Sequence, residues 1–172
     1  DDLGVAGPRP VVLVSQETHV FAGPLADDLR LARADATDAE LEKALATVGA
    51  DWVGGLPAGI HTVVGELGHG LSPEQAAQVA LARAQLADTT VLLLDEATAE
   101  SGSRDATRLE DAATAVLAGR TGLVVAHRLR QAALADRILV MDAGRVVESG
   151  THDELLAAGG HYARLWSAWD GS

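Results

Sequence analysis

Val91-Leu92-Leu93-Leu94-Asp95-Glu96-Ala97-Thr98 decides the fold class. Four consecutive apolar residues without alternation suit a strand buried on both faces of a parallel sheet. They run into two adjacent carboxylates, and the carboxyl end of a strand is where open α/β sheets place ligands. Two carboxylates there can share phosphoryl chemistry, one holding a magnesium ion and the other polarising a water. The plainer alternative is a strand that simply ends in an acidic turn.

Further strands read outward from this one. Residues 11–15 (VVLVS) and 122–126 (GLVVA) are also continuous apolar runs. Residues 137–142 and 145–148, joined by Ala143-Gly144, read as a hairpin with a two-residue turn. Between them lie helical patterns. Thr37 and Glu40 form a capping box before a face of Leu41, Leu45 and Val48. Ser72 and Gln75 form another, with Pro73 at the first helical position, before an alanine-rich helix. Residues 104–117 place Leu109, Ala113 and Val116 inward. Thr151 and Glu154 open a last helix that carries Leu155 and Leu156 and runs on to Leu165 and Trp166. Trp166 and Trp169, three apart, read as packing of that helix. Alternating strands and helices argue for an α/β fold, interrupted by a mostly helical section at residues 17–88.

Composition excludes several classes. The 172 residues are 48% hydrophobic and 22% charged, which suits a packed core rather than a disordered tail. A net charge of −12 argues against a nucleic-acid partner, because phosphate contacts need positive surface. The absence of cysteine removes disulfides, thiolate metal sites and thiol nucleophiles. No apolar run reaches the length of a membrane span, and residues 1–10 carry no secretion signal. The histidines other than His127 show no metal-ligand spacing.

Four motifs in order resemble those of the ABC-type ATPases. VLLLDEAT at 91–98 looks like the family's Walker B. Gln16 follows a strand as the Q-loop glutamine does. LSPEQAAQVALARA at 71–84 occupies the place of the LSGGQ signature. His127, in VVAHRL, matches the H-loop histidine. The segment after Gln16 (HVFAGPLADDLRLA), Thr62-Val-Val-Gly65-Glu66-Leu-Gly68 and the C-terminal stretch are similar to exporter-type transporters. The resemblance implies a partial ABC ATPase domain: a RecA-like sheet with an inserted helical subdomain at 17–88 that includes the signature. Residues 89–172 would supply the sheet core with Walker B, H-loop and terminal helix. It implies ATP hydrolysis with Mg2+, driving export at the cytoplasmic face of a bacterial cell membrane. The implied partners are a transmembrane domain and a second ATPase domain.

The same resemblance assigns roles. Asp95 and Gln16 would hold magnesium, Glu96 would be the general base, and His127 would contact the γ-phosphate. Ser72 and Gln75 of the signature would contact nucleotide held by the partner domain. No GxxxxGK[ST] occurs, and the only lysine, Lys43, sits in a helical pattern. The Walker A loop and the N-terminal strands are therefore expected upstream, this chain being the C-terminal part of the domain and inactive alone. Two departures stand out. Pro73 and Glu74 replace the signature glycines, removing an N–H donor and adding a negative charge toward phosphate. Gly102 stands where the D-loop has aspartate. Damage confined to that side points to a heterodimeric exporter with one good and one poor site. A degenerate regulatory nucleotide-binding subunit and a soluble ABC ATPase remain the alternatives.

Overall fold

The computed structural model describes residues 11–15, 18–66, 68–87, 89–95, 103–126 and 128–170, with backbone only at 103–106 and 170. They belong to two compact units, Asp1–Val125 and Ala126–Ser172. The first contains, in chain order, β1 (Val11–Val14), β2 (Gly23–Pro24), α1 (Leu25–Arg30), α2 (Asp38–Thr47), β3 (Val63–Val64), α3 (Pro73–Leu86), β4 (Val91–Asp95), α4 (Ser103–Leu117) and β5 (Thr121–Val125).

The three apolar runs form one parallel sheet in the order β1-β4-β5, with Val11 opposite Val91 and Val91 opposite Thr121. One face is covered. Val14, Leu92 and Leu94 are buried together with Val79, Leu81 and Ala82 of α3 and Leu109, Ala113 and Val116 of α4. The other face is open: Val11, Leu13, Leu123 and Val125 are exposed, Leu13 by 60%. The continuous apolar pattern predicts burial on both faces, so among the described residues the second layer of this sheet has no cover.

Among the described residues between β1 and β4, the helices α1, α2 and α3 come with one short strand pairing. Gly23–Pro24 and Val63–Val64 pair as a short antiparallel ribbon. Both capping boxes close. Thr37 accepts from Glu40 N–H while Glu40 Oε2 accepts from Thr37 N–H, and Ser72 and Gln75 do the same. The expected face of α2, Leu41 with Leu45 and then Val48, is buried.

The second unit holds α5 (Leu129–Ala133), β6 (Ile138–Asp142), β7 (Arg145–Gly150), α6 (His152–Ala158) and α7 (His161–Asp170). The hairpin turn is the one predicted. Ala143 and Gly144 adopt φ of 45° and 75°, the two positive values that match the twist of a two-residue hairpin. The last helix departs from the sequence reading. It does not run on to Trp166: α6 stops at Gly159, whose φ is 64°, and α7 begins anew at His161. Glu148 of β7 explains the restart. Its carboxylate accepts Tyr162 N–H at 3.0 Å and also the N–H of His161, capping α7 from outside. A Cβ on Gly160 would collide with that carboxylate. Behind the cap, Tyr162 is buried with Ile138 and Leu155. Trp166 packs against this cluster and lies 5.2 Å, ring centre to ring centre, from Trp169.

This cap has a pH signature. The N–H groups of Tyr162 and His161 hold the Glu148 carboxyl below its ordinary value, and Thr151 lowers that of Glu154. A carboxyl lowered in the folded state binds fewer protons there than when unfolded. Its stabilisation is therefore complete above the ordinary glutamate pKa and is lost as pH falls through the lower, folded one. Thermal melts of the chain followed by tryptophan fluorescence should shift downward from about pH 4.5 into the acid range. Glu148→Gln should flatten that dependence; an unchanged slope would show that the cap does not carry it.

Candidate functional site

The site is built from the ends of parallel strands. Val14 of β1 lies opposite Leu94 of β4, and Leu94 opposite Val124 of β5. Asp95 is the last residue of β4, paired in register with Val125, and it is exposed at the sheet's carboxyl edge. The chain therefore leaves three neighbouring strands at the same edge. Ser15 and Asp95 are the described residues there, and β5 ends at Val125; in the chain Gln16 and Glu96 follow the first two, and His127 comes two residues after Val125. Those three, with the D-loop positions 99–102, lie outside the described residues. An exposed carboxylate such as Asp95 has the hard oxygen donors that magnesium prefers.

Ser72, Pro73, Glu74 and Gln75 sit at the amino end of α3. An amino-terminal helix end offers N–H groups to an anion. Here that offer is reduced from within. Pro73 has no N–H, and Gln75 gives its own to Ser72 Oγ at 3.2 Å. Glu74 retains its N–H but brings a carboxylate to the same turn. The Ser72 N–H is bound by Gln75 Oε1 at 2.8 Å. Ser72 and Gln75 thus face each other in the capping box, and what the pair keeps for a ligand is the serine hydroxyl proton and the side-chain amide N–H groups of Gln75. Beside them a groove of about 720 Å³ runs along Trp52, Gln78, Arg108 and Asp111.

Several residues that organise this unit carry no motif. Gln78 is buried and saturated: it accepts Trp52 Nε1–H at 2.9 Å and donates to the carbonyls of Val48 and Gly49 at 3.0 Å each. It ties α3 to the carboxyl end of α2, whose exit needs Gly49 at φ 65°. Arg120 donates to the carbonyls of Ala84 and Gln85, closing the carboxyl end of α3. Asp28 and Arg83 form a pair between α1 and α3. In the sequence Gln78 and Arg83 are polar residues of an alanine-rich helix that also carries Gln85, and nothing local marks them as buried or paired.

Among the described residues, no group of three or more histidine or acidic side chains could hold a metal ion by itself. No described helix is long and apolar enough to cross a membrane.

No protein-family model matches the chain. Individual proteins do. An uncharacterized ABC transporter ATP-binding protein, YknV of Bacillus subtilis, is 42% identical over 97% of this chain. A multidrug efflux ATP-binding/permease protein of Mycobacterium bovis is 47% identical over 91%. An ATP-dependent lipid A-core flippase of Alkalilimnicola ehrlichii is 44% identical over 89%. The chain spans 28%, 13% and 26% of those three proteins respectively. Identity at this level across nine-tenths of the chain, on a parallel α/β sheet flanked by helices, places it as a partial ABC ATPase domain: the chain belongs to the ATP-binding proteins of ABC transporters.

Proposed function

We propose that this chain is part of the ATP-hydrolysing domain of an ABC exporter, working at the cytoplasmic face of a membrane with a transmembrane domain and a second ATPase domain. The observation that carries the reading is the sheet edge at which β1, β4 and β5 end together and lead into Gln16, Asp95-Glu96 and His127. Asp95 and Gln16 would hold magnesium, which neutralises phosphate charge when bound. Glu96 takes the proton of the attacking water, and His127 keeps that water and the γ-phosphate in line. The phosphate-cradling loop and its lysine come from a segment upstream. The open face of β1-β4-β5 supports this, since it offers apolar surface for another layer.

The capping box at Ser72 favours a division of labour. With the donors of α3 reduced, the site that uses this signature is the weak one, and the site that uses this Glu96 relies on a partner's signature. That is the heterodimer reading; a regulatory subunit that binds but does not hydrolyse is the second one. Replacing Pro73 and Glu74 by glycine in the complete complex discriminates. The change returns one N–H and removes one misplaced charge. If two copies of this chain form the dimer, both sites are repaired, and hydrolysis should rise about tenfold for each ~1.4 kcal/mol of transition-state stabilisation regained. In a heterodimer whose partner lacks its own base, nucleotide occupancy should rise while turnover stays level. Two copies in the purified complex, with turnover unmoved by the double substitution, would defeat the claim that Pro73 and Glu74 weaken the signature.

A further inference from the structure

Arg83 lies near the carboxyl end of α3, and its guanidinium grips two separate points, one in the chain before α1 and one within α1. Nη2 donates to the carbonyl of His19 at 2.6 Å, and Nη1 lies 3.5 Å from Asp28 Oδ1. Asp28 Oδ1 also accepts the N–H of Phe21 at 3.0 Å. Residues 19–21 are thus held on both sides of Val20, one side by Arg83 and the other by Asp28. The Asp28 side chain is 1% exposed and that of Arg83 19%. Asp28 Oδ2 is buried with no hydrogen-bond partner among the described residues.

An ion pair this buried, with one carboxylate oxygen unfilled, is a poor device for stability, because desolvation offsets most of its attraction. Its value lies in geometry. The planar fork of arginine fixes two acceptors at once, which a point charge cannot do. The two acceptors belong to the segment that follows Gln16, while the opposite end of the same helix carries Ser72–Gln75.

We propose that Arg83 is a positioning residue, a strut that makes α3 and residues 19–28 shift as one body when nucleotide binds. The inference rests on the ATPase reading above, so its test separates the two. Hydrogen exchange would be followed by mass spectrometry on the full transporter polypeptide carrying Glu96→Gln, with and without Mg-ATP. Three peptides matter: 19–28, 72–86 and the one spanning β4. In the parent, Mg-ATP should slow exchange in all three, by about tenfold or more. Adding Arg83→Met should keep the slowing in the β4 and 72–86 peptides and reduce that in 19–28 to less than about twofold. A purely structural role would instead raise exchange in both α3 and 19–28 whether or not nucleotide is present. Arg83→Lys keeps the charge and most of the stem but lacks the planar fork that reaches both acceptors, and should show the same selective loss if the methionine variant fails to fold. Slowing that persists in 19–28 in these variants overturns the strut, as does a parent in which β4 is protected while α3 and 19–28 are not. A parent without protection of β4 overturns the nucleotide-binding reading itself.

Discussion

Glutamine in place of Glu96 is expected to lower ATP turnover of the complete transporter by about 10²–10⁴-fold, the range a positioned general base supplies. ATP binding should survive, because the amide keeps the size of the carboxylate and removes only its basicity. The argument stands on the register of the sheet. Asp95 closes β4 opposite Val125, at the edge where β1 and β5 also end, and Glu96 is the next residue in the chain. Single-turnover hydrolysis beside nucleotide binding is the measurement. Turnover near that of the parent would remove Glu96 from the chemistry, and lost binding with unchanged single-turnover rate would make it a nucleotide ligand.

Leucine in place of Gln78 is expected to lower the stability of the chain by about 2 kcal/mol, roughly a thirtyfold change in the folding equilibrium. The side chain fills a buried position between the end of α2, Trp52 and α3, and all its hydrogen-bonding atoms are used. Leucine preserves most of the volume but leaves the carbonyls of Val48 and Gly49 and the indole N–H of Trp52 without their partner. Because Trp52 is only half-buried, water can recover part of its share. Glutamate should do worse than leucine: it retains the acceptor for Trp52 but faces the two carbonyls with a negative charge. Chemical denaturation followed by circular dichroism would rank the two. A leucine variant as stable as the parent would show that the node is dispensable.

The sequence made the sheet, the helices and their caps legible where one local rule acted alone. Continuous apolar runs marked β1, β4 and β5, and three polar pairs marked the starts of α2, α3 and α6. Gly159-Gly160 marks the break locally, but the restart at His161 has a distant cause, Glu148 on a neighbouring strand. The β2–β3 ribbon gives no sequence signal, because two residues per strand carry no periodicity. Motif order pointed to Gln16, Asp95, Glu96 and His127, and register accounts for why the strands preceding them converge. Gln78, Asp28 and Arg83 stayed illegible, since a polar residue on an apolar helix face declares burial only once its partners, tens of residues away, are known.

The parallel sheet also sets the tempo at which the chain can reach this fold. Its register joins Val11 to Val91, roughly 80 residues along, and Val91 to Thr121, roughly 30 along. Closing the longer loop costs about 0.9 kcal/mol more in chain entropy than closing the shorter one. The helix α2 and the turn of α3 need no such closure, because their capping boxes are local. The order expected in stopped-flow refolding is therefore helical signal first, then β4 against β5, with β1 last. Until β1 arrives, its neighbour β4 presents a bare edge, and the refolding yield should fall as protein concentration rises.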